Sequence, residues 1–445
     1  MIYMMKKTEI KNIPLILTKI PGPKSIQILN LQKKLETVTT TYPDSFPIAI
    51  KEGKGSVVQD VDNNMLIDWM TGISVLNLGY DDGIREAVKL QMEKTWHALE
   101  IPTEVRSEFL ERLNRSFPAG MKDYRTIFGI SGADACETAV NIAHAVGKKG
   151  KSTISFEGAY HGVSGGIIST TSGIKYKQTS YSQGFNTVRV PYPYPLWYKE
   201  DVSDIIGEMR KMVTDPEVGY DYPDSVIVEP IQGEGGYIVP PEGFLKSIRE
   251  FCDEFDLAMI VDEVQSGMGR TGKMWAFEWE SIKPDIVCVS KSIGGGIPMS
   301  LVYFRDDYDK KLQKPFHMGT YRANPLAMAA GSYVLDNIPK YLDRVVSEGK
   351  EIKKKFREID SEKIIEVRGK GFMIGVELGR EGKPLESGEM LALKHELLGS
   401  GLLMHTCGHF GNVFRYMGAL NIPTELNNRG IDIFAKVLKK NEGGN

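Results

Sequence analysis

Two side chains in the middle of the chain could do chemistry together. Lys291 closes the segment Asp285-Ile286-Val287-Cys288-Val289-Ser290-Lys291, just before Gly294-Gly295-Gly296, and Ala258-Met259-Ile260-Val261 runs into Asp262-Glu263-Val264-Gln265. Each is a short apolar run that ends in a charge, the pattern of a buried parallel strand delivering one reactive group at its C-terminal end. An amine and a carboxylate offered from neighbouring strand ends suit a cofactor that has both an aldehyde and a basic ring nitrogen. Pyridoxal 5'-phosphate is such a cofactor: a lysine forms its Schiff base and an acid pairs with its pyridinium nitrogen. Alone, the Asp would read as a turn residue and the Lys as a solvated one; it is the pair that points to chemistry.

Further motifs fall at other strand ends. Ser131-Gly132-Ala133 stands between a strand and a helix, where backbone N–H groups and the helix dipole can hold a phosphate. Gly158-Ala159-Tyr160-His161-Gly162 follows another strand, and Tyr160 could stack on an aromatic cofactor. Glu229-Pro230-Ile231-Gln232-Gly233-Glu234-Gly235-Gly236 places two carboxylates in a glycine-rich loop, which packing alone does not require. Gly267-Met268-Gly269-Arg270-Thr271-Gly272 matches a dinucleotide fingerprint, and the stretch to Lys273 begins like a P-loop. Met274 stands where a P-loop needs Ser or Thr, and no acidic residue closes the following strand, so neither nucleotide reading holds. Arg415, in Asn412-Val413-Phe414-Arg415-Tyr416, needs an anionic partner if buried.

The elements that must position these groups alternate in type. Glu86–Leu99 and Glu104–Phe117 read as helices, Arg125–Ile130 as a strand, and Ala135, Ala139, Ile142, Ala143 and Val146 share one helical face. Ser152–Phe156 and Asp224–Glu229 read as strands and Phe244–Phe255 as a helix. This βαβ succession predicts an α/β fold, a mostly parallel central sheet with helices on both faces. Beyond Ala330, helices over Leu335–Ile359 and Met390–Leu398 flank short strands near Ile364–Val367, Phe372–Glu377 and Val413–Tyr416, the pattern of a smaller α+β domain. The division predicted is a large domain over 75–330 and a small one from 1–74 with 331–445.

Bulk properties narrow the class. The 445 residues are 41% hydrophobic and 25% charged with a net charge of −3, a balance that favours neither nucleic acid nor an anionic membrane as partner. Met1–Thr18 has no continuous apolar core and does not read as a signal peptide. The four cysteines are widely spaced, without a CxxC pair, and read as reduced thiols of a cytoplasmic protein. No metal site is expected from the seven histidines; His405 and His409 read as structural.

These motifs resemble the class III, or ω-, aminotransferases of pyridoxal-phosphate fold type I. The resemblance covers nearly the whole chain, from about Pro21 onward. It rests on Asp262–Gly272, on Ser290–Pro298, and on Gly319–Ala327 with its Gly-Thr and Asn-Pro-Leu-Ala pieces. Gly72-Ile73-Ser74-Val75-Leu76-Asn77 and the Gln-Gly-Glu-Gly-Gly loop are most similar to 4-aminobutyrate aminotransferases; the Pro-Gly-Pro-Lys opening is similar to archaeal members, including amino-acid racemases.

The resemblance implies roles. Lys291 bonds the cofactor's aldehyde and shuttles the proton. Asp262 keeps the pyridinium protonated, Val264 and Tyr160 sandwich the ring, and Gln265 bonds its phenolic oxygen. The amides of Gly132 and Ala133 hold the phosphate, and Thr320 reaches it from the other subunit of a homodimer with shared active sites, possible higher oligomers being left open. Arg415 binds the α-carboxylate, Glu234 pairs with Arg415 when an ω-amine is the donor, and Ile73 lies against the substrate. The function implied is transfer of an amino group from an ω-amine or amino acid to a 2-oxo acid such as 2-oxoglutarate. A racemase of the same fold is the alternative, and a non-enzymatic regulator the remote one. Three departures stand out: Val163 where 4-aminobutyrate enzymes usually have Arg, Arg322 where a small residue is usual, and Gly418-Ala419 in place of the usual Pro pair.

Overall fold

The computed structural model describes residues 10–148, 150–178 and 184–441. The chain forms two compact units, Gly83–Val345 and a second that combines Met1–Asp82 with Val346–Asn445.

The second unit opens with β1 (Ile50–Lys54), β2 (Val57–Asp60) and β3 (Met65–Asp68), an antiparallel meander. Its second turn is tied by Asp60, whose Oδ1 accepts from the N–H groups of Asp62 and Asn64 at 2.9 and 2.8 Å; a short carboxylate closing its own turn is the usual use of Asp there.

The first unit is built on seven strands: β4 (Arg125–Gly129), β5 (Ser152–Phe156), β6 (Asn186–Val190), β7 (Pro223–Val228), β8 (Ala258–Asp262), β9 (Ile286–Val289) and β10 (Ser300–Phe304). Their order is β4-β10-β9-β8-β7-β5-β6. β9, β8, β7, β5 and β6 are mutually parallel, and β10 is antiparallel to both of its neighbours. The predicted mostly parallel sheet is therefore present, with helices on both sides. Continuous apolar runs such as Ala258–Val261 and Ile286–Val289 have this character because both faces are covered. On one face the helix Gly132–Val146 lays Ala135, Ala139, Ile142 and Ala143 against Ile227, Ile260, Ile286 and Val302.

In the second unit, β11 (Ile364–Lys370), β12 (Met373–Arg380), β15 (His405–Cys407) and β16 (Val413–Tyr416) form an antiparallel sheet, with β13 (Lys383–Pro384) folded onto the end of β12 and β14 (Leu402–Leu403) running parallel to β3. Two predicted helices are corrected. The helix expected over Glu86–Leu99 is Asp82–Met92, with turns beyond. The helix expected over Leu335–Ile359 is interrupted: Pro325–Asn337 is followed by a 3₁₀ turn, Ile338–Tyr341, and a new helix, Leu342–Arg357. Pro339 donates no N–H and crowds the preceding turn, so the chain re-enters helical geometry after it.

Candidate active site

The parallel strands β5, β7, β8 and β9 all end at one edge of the sheet, the place where open α/β sheets bind ligands. Asp262 is the last residue of β8, and Lys291 follows β9 by two residues. A cavity of about 310 Å³ opens there. Gly132, Ala133, Tyr160, Glu234, Asp262, Val264, Gln265 and Lys291 all line it, although they come from five separate stretches of sequence. Thr320, exposed on a loop of the same unit, does not line it. Ile73 and Arg415 belong to the other unit.

Lys291 starts a 3₁₀ turn with φ of 51°, a left-handed conformation that costs a lysine energy. The turn continues through Gly295 and Gly296, whose φ values of 58° and 100° suit glycine. Strain of this kind persists where the surroundings fix the backbone, as they do around a residue that must project into a site.

Asp262 is buried and held on every side. Its Oδ2 accepts from His161 Nδ1 at 2.8 Å and from the Cys136 thiol at 3.3 Å, and its Oδ1 accepts from the Val264 N–H at 2.9 Å. Donors on both oxygens fix a buried carboxylate in orientation. Ligand atoms of Cys136, His161 and Asp262 lie within 4.8 Å of one another, and these hydrogen bonds already join them. His161 Nε2 is buried without a hydrogen-bond partner among the described residues. In the sequence, His161 stands in a strand-end motif with no task of its own, and Cys136 passes for one more thiol of a helix. Both approach Asp262 across more than a hundred residues of sequence, which local pattern does not reveal.

At the wall facing the Gly132 helix, Ser131 caps the first turn, its Oγ accepting from the Asp134 N–H at 3.2 Å. The Gly132 and Ala133 amides precede any intrahelical acceptor and remain open at the positive end of the dipole. A Cβ on Gly132 would sit 3.0 Å from a Val264 methyl, and one on Gly162 would sit 2.5 Å from Ala133 Cβ, so two glycines keep this corner clear. Asp134 faces outward: its Oδ2 accepts from the Ile130 N–H at 2.9 Å, and its Oδ1 lies 3.0 Å from Arg322 Nη2 and 3.4 Å from His317 Nε2.

The loop after β7 brings Glu229 into the same wall. Its two oxygens accept from the N–H groups of Tyr160 and Gly233 at 2.9 and 2.8 Å. Burial pushes this carboxyl up to about 7; His161 pulls it down and Asp262 pushes it further up. Glu263, behind Asp262, accepts from Phe277 N–H and Ser266 Oγ at 2.8 Å each, and burial raises it to about 7 as well. Val163 is 44% exposed and lines the cavity as an apolar wall. Gly267–Gly272 forms turns and opens no helix, which removes the geometry a nucleotide phosphate would need.

In the other unit, Thr71, Gly72, Ile73 and Ser74 all have positive φ, between 46° and 61°. Three of these are not glycine, and Ile and Thr are β-branched, so the turn is costly. It is anchored by Asp68 Oδ1, which accepts from Met70 and Thr71 N–H at 2.8 Å, and by Thr71 Oγ1 donating to the Met417 carbonyl at 2.8 Å. Arg415 is 2% exposed on β16, paired across the sheet with Gly375 and His405. Lys394, whose Nζ donates to Ser45 Oγ at 3.0 Å, is held below the usual lysine range by burial and by the Arg415 charge.

The cavity suits a flat, anionic, aldehyde-bearing ring. An amine, a fixed carboxylate and open helix amides converge on it, and the Gln265 Oε1 acceptor is buried without a partner among the described residues. Fold and wall together define a pyridoxal-phosphate-dependent transferase of fold type I. A solved (S)-enantioselective ω-transaminase from Thermomicrobium roseum shares this fold at a TM-score of 0.84, with 24% identity over 94% of this chain and 98% of the other.

The model of the class III aminotransferases matches residues 39–438, and the chain belongs to that family. It is 36% identical over 421 residues, 88% of each chain, to a diaminobutyrate–2-oxoglutarate aminotransferase of Rhizobium meliloti. It is 32% identical to a 4-aminobutyrate aminotransferase of Mycobacterium leprae, over 97% of this chain and 99% of that one. It is 31% identical to an alanine/serine racemase of Pyrococcus horikoshii, over 96% and 93%. The chain is thus a pyridoxal-phosphate-dependent class III aminotransferase.

Proposed function

We propose that the enzyme moves an amino group from an ω-amine or amino acid donor to a 2-oxo acid such as 2-oxoglutarate. The observation that carries this is the convergence of Lys291, Asp262 and the open amides of Gly132 and Ala133 on one cavity. Bound there, pyridoxal phosphate supplies the carbonyl that takes up the amino group and the ring that draws electrons from the donor's carbon. Asp262, fixed by His161, Cys136 and Val264, holds the ring nitrogen protonated. Lys291 attaches the cofactor and carries the proton released at the donor's carbon. Tyr160 and Val264 pack the two ring faces, and Gln265 bonds the phenolic oxygen. The Gly132 and Ala133 amides take the phosphate. Arg415 binds a substrate α-carboxylate, with Glu234 as its counter-ion when the donor has none, and Ile73 shapes the substrate space.

Thr320, exposed in one chain, supports a homodimer in which it completes the partner's phosphate site. The four buried cysteines, none of them in a disulfide, support a cytoplasmic location; among the described residues no helix is long and apolar enough to cross a membrane. The named activities of the Rhizobium and Mycobacterium relatives support donors with a terminal amine and 2-oxoglutarate as acceptor.

The Arg415→Ala variant tests the substrate assignment. It should weaken 2-oxo acids as acceptors far more than simple ω-amines as donors; equal losses for both would remove Arg415 from its role. A racemase reading is favoured by Val163 and by the Pyrococcus relative. It requires a second acid/base opposite Lys291, for which Glu234 is the candidate. Incubating single enantiomers without any oxo acid separates the two: formation of the opposite enantiomer would establish racemisation.

A further inference from the structure

The loops that follow β5 and β7 are tied to each other where they reach the cavity. The two strands are parallel neighbours, so their C-terminal ends meet at the same edge of the sheet. At the base of the loops Gln232 Nε2 donates to the Glu157 carbonyl at 2.7 Å. A Cβ on Gly235 would lie 2.8 Å from the Gly158 carbonyl oxygen, so the backbones pass in close contact there. Nearer the cavity the tie is a single buried carboxylate. Glu229 Oε1 accepts from the Tyr160 N–H at 2.9 Å, and its Oε2 accepts from the Gly233 N–H at 2.8 Å. Glu229 itself lines the cavity, as do Tyr160 on one loop and Glu234, next to Gly233, on the other. Two N–H donors need two acceptor oxygens. An ionised carboxylate offers both, whereas a protonated acid keeps one carbonyl oxygen and turns the other into a donor. Burial pushes Glu229 up to about 7, with His161 opposing and Asp262 adding to the shift. Tyr192 also faces it, donating to the Glu229 backbone carbonyl at 3.2 Å, and burial holds that hydroxyl well above its ordinary range.

We propose that Glu229 is a positioning residue: its two oxygens staple the Tyr160 loop to the Gly233–Glu234 loop, so that the wall packed on the cofactor ring and the carboxylate facing the substrate are set together. Protonation takes away one of the two acceptors and loosens the staple as pH falls. The inference rests on the reading of Tyr160 as the residue packed on the cofactor's ring.

The test uses the holoenzyme and reads the visible circular dichroism of the bound cofactor, divided by its absorbance so that the cofactor's own titration cancels. This ratio reports how the ring is held, which a residue that only stabilises the fold would not move. In the wild type the ratio should fall by about a third or more as pH drops through about 7. Glu229→Gln, with one carbonyl acceptor and no ionisation, should show the lowered ratio at every pH. At about pH 8 that variant should also bind pyridoxal phosphate about tenfold more weakly than the wild type, the effect of one charge-assisted hydrogen bond, and the two affinities should converge by about pH 5.5. If Glu229→Gln keeps the wild-type ratio at about pH 8, the staple does not set the wall and the inference is overturned. It is likewise overturned if the ratio falls with pH in wild type and variant alike, because another group is then titrating. Should the variant fail to fold, the wild type decides alone: a ratio that stays flat from about pH 5 to about pH 9 overturns the inference. If Tyr160→Ala leaves the wild-type ratio unchanged, the packing of Tyr160 on the ring fails, and this inference with it.

Discussion

Glu229 makes the buried wall of the site sensitive to pH, and the direction follows from its surroundings. It is 6% exposed, its two oxygens accept from the N–H groups of Tyr160 and Gly233, and burial moves it from 4.5 up to about 7. In the unfolded chain the carboxyl loses its proton near 4.5; in the folded protein it keeps it until about 7. Between these values the native state binds more protons, so this group's contribution to stability is whole below about 4.5 and declines as pH rises to about 7. At about 1.4 kcal/mol per pH unit, the ceiling of the loss is roughly 3 kcal/mol. Glu229→Gln resembles the protonated acid in shape and in having one carbonyl acceptor. It should match the wild type at about pH 4.5 and be the more stable protein above about pH 7.5. For a chain of this length the difference corresponds to a melting temperature higher by about 3 °C at most. The assay is thermal unfolding of cofactor-free wild type and variant at a series of pH values. A melting difference that stays constant across the series would show that Glu229 is not proton-linked to folding.

Asp262→Asn should retain pyridoxal phosphate yet slow turnover by about 10²-fold or more, since one fixed charge at the ring nitrogen is lost; near-normal turnover would leave Asp262 a structural residue. Val163→Arg should move kcat/KM toward 4-aminobutyrate by about tenfold relative to a neutral amine, through a charge-assisted contact with the distal carboxylate; a wild type that already prefers 4-aminobutyrate strongly would contradict this. Inactive Lys291→Ala and an inactive Thr320→Trp protein, mixed and allowed to exchange subunits, should recover part of the activity through hybrid dimers with one intact site; a fully active monomer by light scattering would refute the shared site.

What the sequence reveals of this molecule follows from the range of the forces involved. Buried parallel strands are apolar on both faces, so Ala258–Asp262 and the strand before Lys291 show as unbroken runs, and the charges that end them stand out. The helix Phe244–Phe255 shows through its period. The break at Ile338–Tyr341 is obscured because apolar and polar residues keep a helical rhythm across Pro339. The left-handed turn at Thr71–Ser74 runs against local preference and is held by tertiary and turn contacts, those of Asp68 and Met417 among them. The contacts to Asp262 from His161 and Cys136 span 101 and 126 residues, and the Arg322–Asp134 pair spans 188. Such pairs are set by tertiary packing, and nothing in their local sequence marks them.

The central claim is that Lys291 attaches the cofactor at the end of β9. The direct measurement is reduction of the purified holoenzyme with borohydride, followed by peptide mass analysis. The imine absorbance should disappear, and the cofactor's mass should remain on the peptide that contains Lys291, with Lys291→Ala giving no adduct. A reduced adduct on any other lysine, or on none, would contradict the account.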